Sequence, residues 1–351
     1  MNTKLSPIQR GEFFYPECFA AFLRGDANGQ KHKTQHVIEE LVRALRSEAV
    51  VFGDEGQTVD VLDVGCGPGL YSQKFLASIG KAFSGKINYH GVDILPEFVS
   101  AAVEVVKSSP NVASAKTKTG NAFEGDELVE GRVALAQASH MVYHAADGSR
   151  SEEETDQKVD NFVRAIMDSV ANDGIAIFFH GGEDSDMHGK VAKKFGPLMS
   201  NAPNRIDISA KKGNKEIVEL SVSSKLYFPD LPAATYEKLK DIENYKNFQP
   251  DSDELRWLKL LTFVLHCDLK ALSANGKLGE CIEFTKELLA QNRDRDGGFL
   301  MVRGSMQIIM NDPALKPKID RAVAEVASKM TEIDRRTEAE MAREAQVLRK
   351  A

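Results

Sequence analysis

Residues 61–69, Val61-Leu62-Asp63-Val64-Gly65-Cys66-Gly67-Pro68-Gly69, constrain this chain more than any other stretch: an apolar strand runs straight into a GxGxG turn. Such a turn brings backbone groups against a ligand at the carboxyl end of the first strand, where a Cβ would obstruct approach or forbid positive φ. An acidic residue, Asp93, follows about thirty residues later at the end of a second apolar strand, 87–92. A carboxylate in that place accepts hydrogen bonds from both hydroxyls of a ribose. Spacing separates the nucleotide-binding alternatives. A dinucleotide fingerprint wants GxGxxG, but here the third glycine is Gly69 and Leu70 follows; a Walker loop needs Gly-Lys and then Ser or Thr, and the chain has Leu70-Tyr71. A helix-capping glycine turn in an unrelated α/β protein stays open beside the ligand-binding reading.

The other elements alternate. Residues 13–23 and 34–45 read as amphipathic helices separated by a polar turn at 25–29, and they precede the core where they can lie across its mouth. Then come strand 61–64, helix 69–79, strand 87–92, a helix over 96–107 opened by Pro96, and a short strand near 115–119. Strand 133–138 leads into Ser139-His140-Met141-Val142-Tyr143-His144, and Asn172-Asp173-Gly174 turns into a fifth strand at 175–179. This alternation predicts a doubly wound parallel sheet. After Gly181-Gly182 the pattern changes: a helical stretch at 184–200, a strand at 216–226, two helices within 252–290 around Ala274-Asn275-Gly276, and a last strand at 298–310. An antiparallel pair at one sheet edge, with a helical excursion between its strands, fits this order. From Pro313 a charged helix carries Ile319, Val323, Val326, Met330 and Ile333 as one stripe, either a dimer seam or a face packed on its own domain.

Composition narrows the function classes. With 351 residues, 42% of them hydrophobic, the chain can bury a full α/β core with one sizeable elaboration. A net charge of −7 does not supply the basic face that grips nucleic-acid phosphates, so no nucleic-acid partner is expected. The start, Met1-Asn2-Thr3-Lys4-Leu5-Ser6-Pro7, has no apolar leader region and no run reaches membrane-span length, so a cytoplasmic protein without a membrane partner is expected. Cys18, Cys66, Cys267 and Cys281 lie far apart, which predicts reduced thiols and no zinc site.

The glycine turn and Asp93 resemble the cofactor corner of class I S-adenosylmethionine (SAM)-dependent methyltransferases; SAM has a ribose and no pyrophosphate, so its turn needs no phosphate cradle. A narrower resemblance covers about 300 residues, through Met310: the chain resembles the histamine N-methyltransferase family. Its carriers are residues 15–23 (YPECFAAFL), the glycine turn, His140-Met141-Val142-Tyr143-His144, Lys193-Lys194-Phe195-Gly196 and the strand from Arg303 to Met310. The resemblance implies an α/β, doubly wound, Rossmann-like seven-stranded sheet with an antiparallel last strand. It also implies an N-terminal helical lid (1–55), a SAM-binding core (56–183), a substrate-covering insertion with edge strands (184–311) and a C-terminal charged helix (312–351). SAM, converted to S-adenosylhomocysteine, would be held by Asp63, Gly65, Gly67, Gly69, Asp93, Ile94, Asn121, Ala122, Phe123 and Ser139. Tyr15, Phe19, Asn28, His180, Glu183, His188 and Arg303 would line the acceptor pocket, and the partner would be a small-molecule methyl acceptor on a monomer or homodimer.

The substrate side departs from the family. Asn28 stands in place of the family's imidazole-binding glutamate, His140 in place of a glutamine, Arg303 in place of an asparagine, and His188 and Ala192 in place of two tryptophans. Losing an acid and gaining an arginine moves the pocket towards a carboxylate-bearing acceptor rather than histamine; Arg303 is equally read as a surface strand residue paired with a neighbouring acid. His140 or His144 can take a proton near neutral pH, or one can line the pocket and the other cap a helix. Tyr143 is read as a pocket wall rather than a base. The acids and histidines of 180–188 read as a helix cap or a metal site, and no metal is expected. The expected reaction is N-methylation of an amine or imidazole. O- or S-methylation of a small acid, a protein methyltransferase and a non-catalytic SAM-binding partner are the alternatives.

Overall fold

A computed structural model of the protein describes Glu17, Cys18, Ala21 and residues 28–52, 56–146, 149, 151–196, 201–265 and 267–348. Tyr15 and Phe19 lie outside the described residues. Helix α1 (Asn28–Ser47) takes in Asn28 and Gly29, where the sequence predicts a turn. It buries Val37, Ile38, Leu41, Val42 and Leu45 along one stripe.

Strand β1 (Thr58–Val64), helix α2 (Leu70–Ala82), strand β2 (Lys86–Asp93), helix α3 (Pro96–Lys107) and strand β3 (Val112–Thr119) make the first half of the fold. Strand β4 (Val133–Ser139), helix α4 (Glu152–Asp168), strand β5 (Val170–Gly181), helix α5 (Ala202–Lys212) and strand β6 (Glu216–Tyr227) continue it. After helices α6 (Ala233–Leu239), α7 (Asp253–Leu265), α8 (Leu269–Ala274) and α9 (Leu278–Gln291) come the two-residue β7 (Arg293–Asp294) and the long β8 (Gly297–Met310). Strand order is β3-β2-β1-β4-β5-β8-β6, with β7 pairing β8 as an eighth strand. β1 to β5 are parallel, and β8 runs antiparallel to both β5 and β6. This is a Rossmann-like α/β sheet with antiparallel last strands, as expected, the eighth strand being the addition.

Because strand side chains alternate between faces, β1 to β6 and β8 feed two cores. On one face Val59, Val61, Ile87, Tyr89, Ile175, Ile177, Met306 and Ile308 pack with α1 and α2. On the other Leu62, Val64, Ala136, Ala138, Ala176 and Phe178 pack under Phe162 and Ile166 of α4 and Ile206 of α5. β8 and β6 outrun β5: Gly304 is the last β8 residue opposite β5, while pairing with β6 continues to Phe299. Their overhang lies beyond the carboxyl end of β5 and founds a third core around Trp257, which is fully buried with the rings of Phe228 and Tyr236 edge-on at 5.4 and 5.7 Å. An elaboration therefore stands over the sheet edge where open α/β sheets bind ligands.

The C-terminal helix is broken at Lys329 into α10 (Lys316–Ser328) and α11 (Met330–Leu348). Ile319, Val323, Val326 and Ile333 are buried against the α1 face of the sheet. The stripe is thus covered within the chain, which removes the dimer-seam reading.

Candidate functional site

The glycine turn follows β1, and its three glycines answer to different neighbours. All have positive φ: Gly65 +75°, Gly67 +50° and Gly69 +85°. A Cβ on Gly69 would lie 2.8 Å from Cα of Ala102, so this glycine permits α2 to start against α3. A Cβ on Gly65 would run into the Met141 side chain, whereas one on Gly67 meets nothing within 4 Å. Gly67 is the member of the turn that faces open space, and its N–H donates to Asp93 Oδ2 at 2.9 Å. Asp93 Oδ1 accepts from the Leu95 N–H at 3.0 Å. Two carboxylate oxygens offer about four acceptor positions, so capacity remains for a diol. Burial raises the Asp93 pKa, outweighing the Leu95 and Gly67 N–H groups and nearby His144. Ile94, beside it, is exposed.

Asp63 sits beneath the turn, buried, and its oxygens are taken by protein donors. Gln137 Nε2 donates to Oδ1 at 2.7 Å, and Tyr89 Oη and Ser72 Oγ donate to Oδ2. Burial raises its pKa against these three hydrogen bonds. Tyr89 on β2 and Gln137 on β4 are the residues that sequence reasoning missed. Both are central-strand polar positions facing inward, the one signal available. Ser139, ending β4, places its hydroxyl 3.3 Å from both Tyr71 Oη and Gln137 Oε1, and so ties this network to the start of α2.

Asn121 caps the short helix after β3, its Oδ1 accepting from the Phe123 N–H at 3.1 Å. Ala122 is buried, and Phe123 stacks on Phe162 at 4.7 Å.

The chain then places aromatic and imidazole rings together at the ends of β4 and β5. His140 holds φ at +56°, a left-handed conformation that costs a non-glycine residue on the order of 1–2 kcal/mol. Its N–H donates to Phe179 O at 2.7 Å, and its ring meets Phe179 edge-on at 5.2 Å. Tyr143 stacks on His188 at 5.0 Å and lies 6.3 Å from His140. The Tyr143 hydroxyl accepts the Gly181 N–H, which fixes the ring to β5. Burial pushes His140 down to about 4 and His180 down to about 3, so both are neutral imidazoles near pH 7. His180 is buried, with Nε2 2.9 Å from Gln307 Oε1. His144 lies in the same short helix as Tyr143.

Residues after β5 fall elsewhere. Glu183 and Asp184 are exposed. Arg303 donates from Nη1 to Asp184 Oδ2 at 2.7 Å, with side chains 51% and 64% exposed. Of the two readings of Arg303, the surface ion pair is the one found. Asp186, opening a π-helical turn over Asp186–Ala192, accepts from Asn292 Nδ2 and the Met301 N–H and pairs with Lys190. Among the described residues no group of three or more His, Cys, Asp or Glu could hold a metal ion, and no helix is long and apolar enough to cross a membrane. Asn28 stands at the start of α1.

No protein-family model matches the chain, and no curated protein matches it. Solved structures do. A loganic acid methyltransferase with SAH is 10% identical over 82% of this chain and 95% of that one, with a TM-score of 0.48. A SAM-dependent methyltransferase from Clostridium acetobutylicum is 13% identical over 62% and 69%, with a TM-score of 0.36. N-methyltransferase NodS from Bradyrhizobium japonicum WM9 is 13% identical over 57% of this chain and 90% of that chain, with a TM-score of 0.33.

Proposed function

We propose that the protein is a SAM-dependent methyltransferase acting on a small molecule, with a nitrogen that is already neutral at pH 7 as the preferred acceptor. The observation that carries the reading is Gly67, turned towards open space with its N–H on the Asp93 carboxylate. That pairing fits a ligand whose ribose takes the remaining Asp93 acceptor positions while the turn backbone lies against its chain. When bound, SAM supplies an electrophilic methyl group on a sulfonium. Everything else falls to the protein: holding the acceptor in line and keeping water out, which can supply on the order of 7–11 kcal/mol through orientation.

Protonation chooses among acceptors. An aliphatic ammonium of pKa about 10 must lose a proton at a cost of about 4–5 kcal/mol at pH 7. His140, pushed down to about 4, is a poor acceptor for that proton, the transfer being uphill by about 8 kcal/mol. His140 is therefore a hydrogen-bonding wall rather than a base, and an imidazole-like nitrogen, neutral without help, suits the rings of His140, Tyr143, Phe179 and His188. Arg303 is spent on Asp184, so a carboxylate on the acceptor is not part of the proposal. The departures at Asn28, His140, His188 and Ala192 still argue against histamine itself.

The test incubates the purified protein with methyl-labelled SAM and a panel of imidazoles, heteroaromatic amines, aliphatic amines, and hydroxy and thio acids, read by mass spectrometry, with calorimetric SAM binding alongside. Label on imidazole-type nitrogens in preference to aliphatic amines is expected, with Asp93→Ala losing SAM affinity tenfold or more. SAM binding without transfer to any small molecule would defeat the acceptor class; no SAM binding would defeat the whole reading.

A further inference from the structure

The C-terminal helices build a second concavity that the reaction does not use. A cleft of about 410 Å3 runs between α1 and α11, lined by His36 and by Glu332, Arg335, Arg336, Ala339, Glu340 and Arg343. The six α11 positions recur at intervals of three and four, so they form one stripe along α11, which Arg336 and Glu340 join to α1. Some are consumed. Arg336 donates to Glu39 Oε2 and Glu40 Oε1 at 2.8 Å each, and Glu340 Oε2 lies 3.0 Å from His36 Nε2 and 3.4 Å from His32 Nδ1. Arg335 and Arg343 make no hydrogen bond or ion pair with the described residues and stand exposed.

Arg335, Ala339 and Arg343 are one ridge at i, i+4 and i+8. The two arginines start about 12 Å apart along the axis, with Ala339 between them on this ridge and Glu340 beside it. A glutamate at 339 would pair with both; alanine leaves the floor open and both guanidinium groups uncommitted. Behind them His36 is 6% exposed, and its ring nitrogens make no hydrogen bond, the approach to Glu340 lying outside hydrogen-bonding geometry.

We propose that this cleft binds a small elongated oxyanion charged at both ends, the chemistry of a diphosphate group, with Arg335 and Arg343 each holding one end. The guanidinium fork matches phosphate oxygens two at a time. Glu332, at the same rim, opposes any anion, so a ligand that engages one arginine alone gains little. The site shares no residue with the glycine turn and stands whether or not the methyltransferase reading does.

The full-length protein is titrated with inorganic pyrophosphate by calorimetry and followed in thermal unfolding, at ionic strength held constant with KCl and with orthophosphate as the one-ended comparison. Saturable pyrophosphate binding is expected, with a melting temperature that climbs with the logarithm of its concentration and orthophosphate at least tenfold weaker. Arg335→Ala and Arg343→Ala, both at exposed positions, each weaken binding tenfold or more and leave the ligand-free melting temperature in place; Glu332→Gln tightens it. The proposal is overturned if KCl alone reproduces the response, if binding survives the double arginine variant, or if saturating SAM competes with pyrophosphate.

Discussion

Alanine at Gly67 and alanine at Gly69 are the same chemical change two residues apart, and the geometry predicts opposite consequences. Both positions have positive φ, so each variant pays on the order of 1–2 kcal/mol for a left-handed backbone. At Gly69 the new methyl lies 2.8 Å from Cα of Ala102 and 3.1 Å from its carbonyl oxygen, backbone atoms of α3 that cannot rotate away. Overpacking of that kind adds about 1–3 kcal/mol, for a total of roughly 2–5 kcal/mol. At Gly67 the methyl meets nothing, so the first cost is the whole cost. Urea unfolding should therefore rank wild type above Gly67→Ala above Gly69→Ala, the last two separated by about 1–3 kcal/mol. SAM affinity, measured by calorimetry, should reverse the emphasis. Gly67→Ala places its methyl where the ligand approaches and loses at least tenfold, about 1.4 kcal/mol, while keeping its fold. If Gly67→Ala binds SAM like wild type, or Gly69→Ala matches its stability, the division between a ligand-facing glycine and a packing glycine is wrong.

His180 makes stability sensitive to acid. Its imidazole is pushed down to about 3 by burial, against the Gln307 hydrogen bond, so between about pH 6.5 and 3 the unfolded chain binds a proton that the folded chain refuses. The contribution is fully present above pH 6.5 and falls away towards pH 3, by about 4–5 kcal/mol at most. His180→Gln should lose less between pH 7 and 4.5 in urea titrations than wild type does, and equal losses would assign the acid sensitivity to other groups. Arg303→Ala should change stability by less than about 1 kcal/mol and leave KM for the best acceptor unchanged; a rise in KM confined to carboxylate-bearing acceptors would restore Arg303 to the pocket.

Much of this fold is written in local patterns. Helix α3 spans the predicted residues because Pro96 opens it, and the turn at 65–69 carries its glycines in plain view. Errors arise where a local signal has a tertiary meaning. Asn172-Asp173-Gly174 reads as a turn, yet β5 runs through it from Val170. Its pairing with β4 shifts register between Val133 and Leu135, and Gly174 packs where a Cβ would meet the Ala134 carbonyl oxygen. A polar cluster that ends a strand elsewhere makes a bulge here. Asn28 and Gly29 open α1 for a similar reason: caps and turns use the same residue types. The carboxylate network under the glycine turn is beyond local reading altogether, since Asp63, Tyr89 and Gln137 come from three strands that meet only after the sheet forms.

The pairing of α1 with α10 and α11 sets an order of events during synthesis. Val37, Leu41 and Leu45 leave the ribosome early, but Ile319, Val326 and Ile333, which close over the same face, emerge some 280 residues later. At roughly 5–20 residues per second, that wall of α1 stays incomplete for about 15–60 s. Any chaperone that attends this chain at birth has its natural perch there, and it must let go only when the last helix arrives.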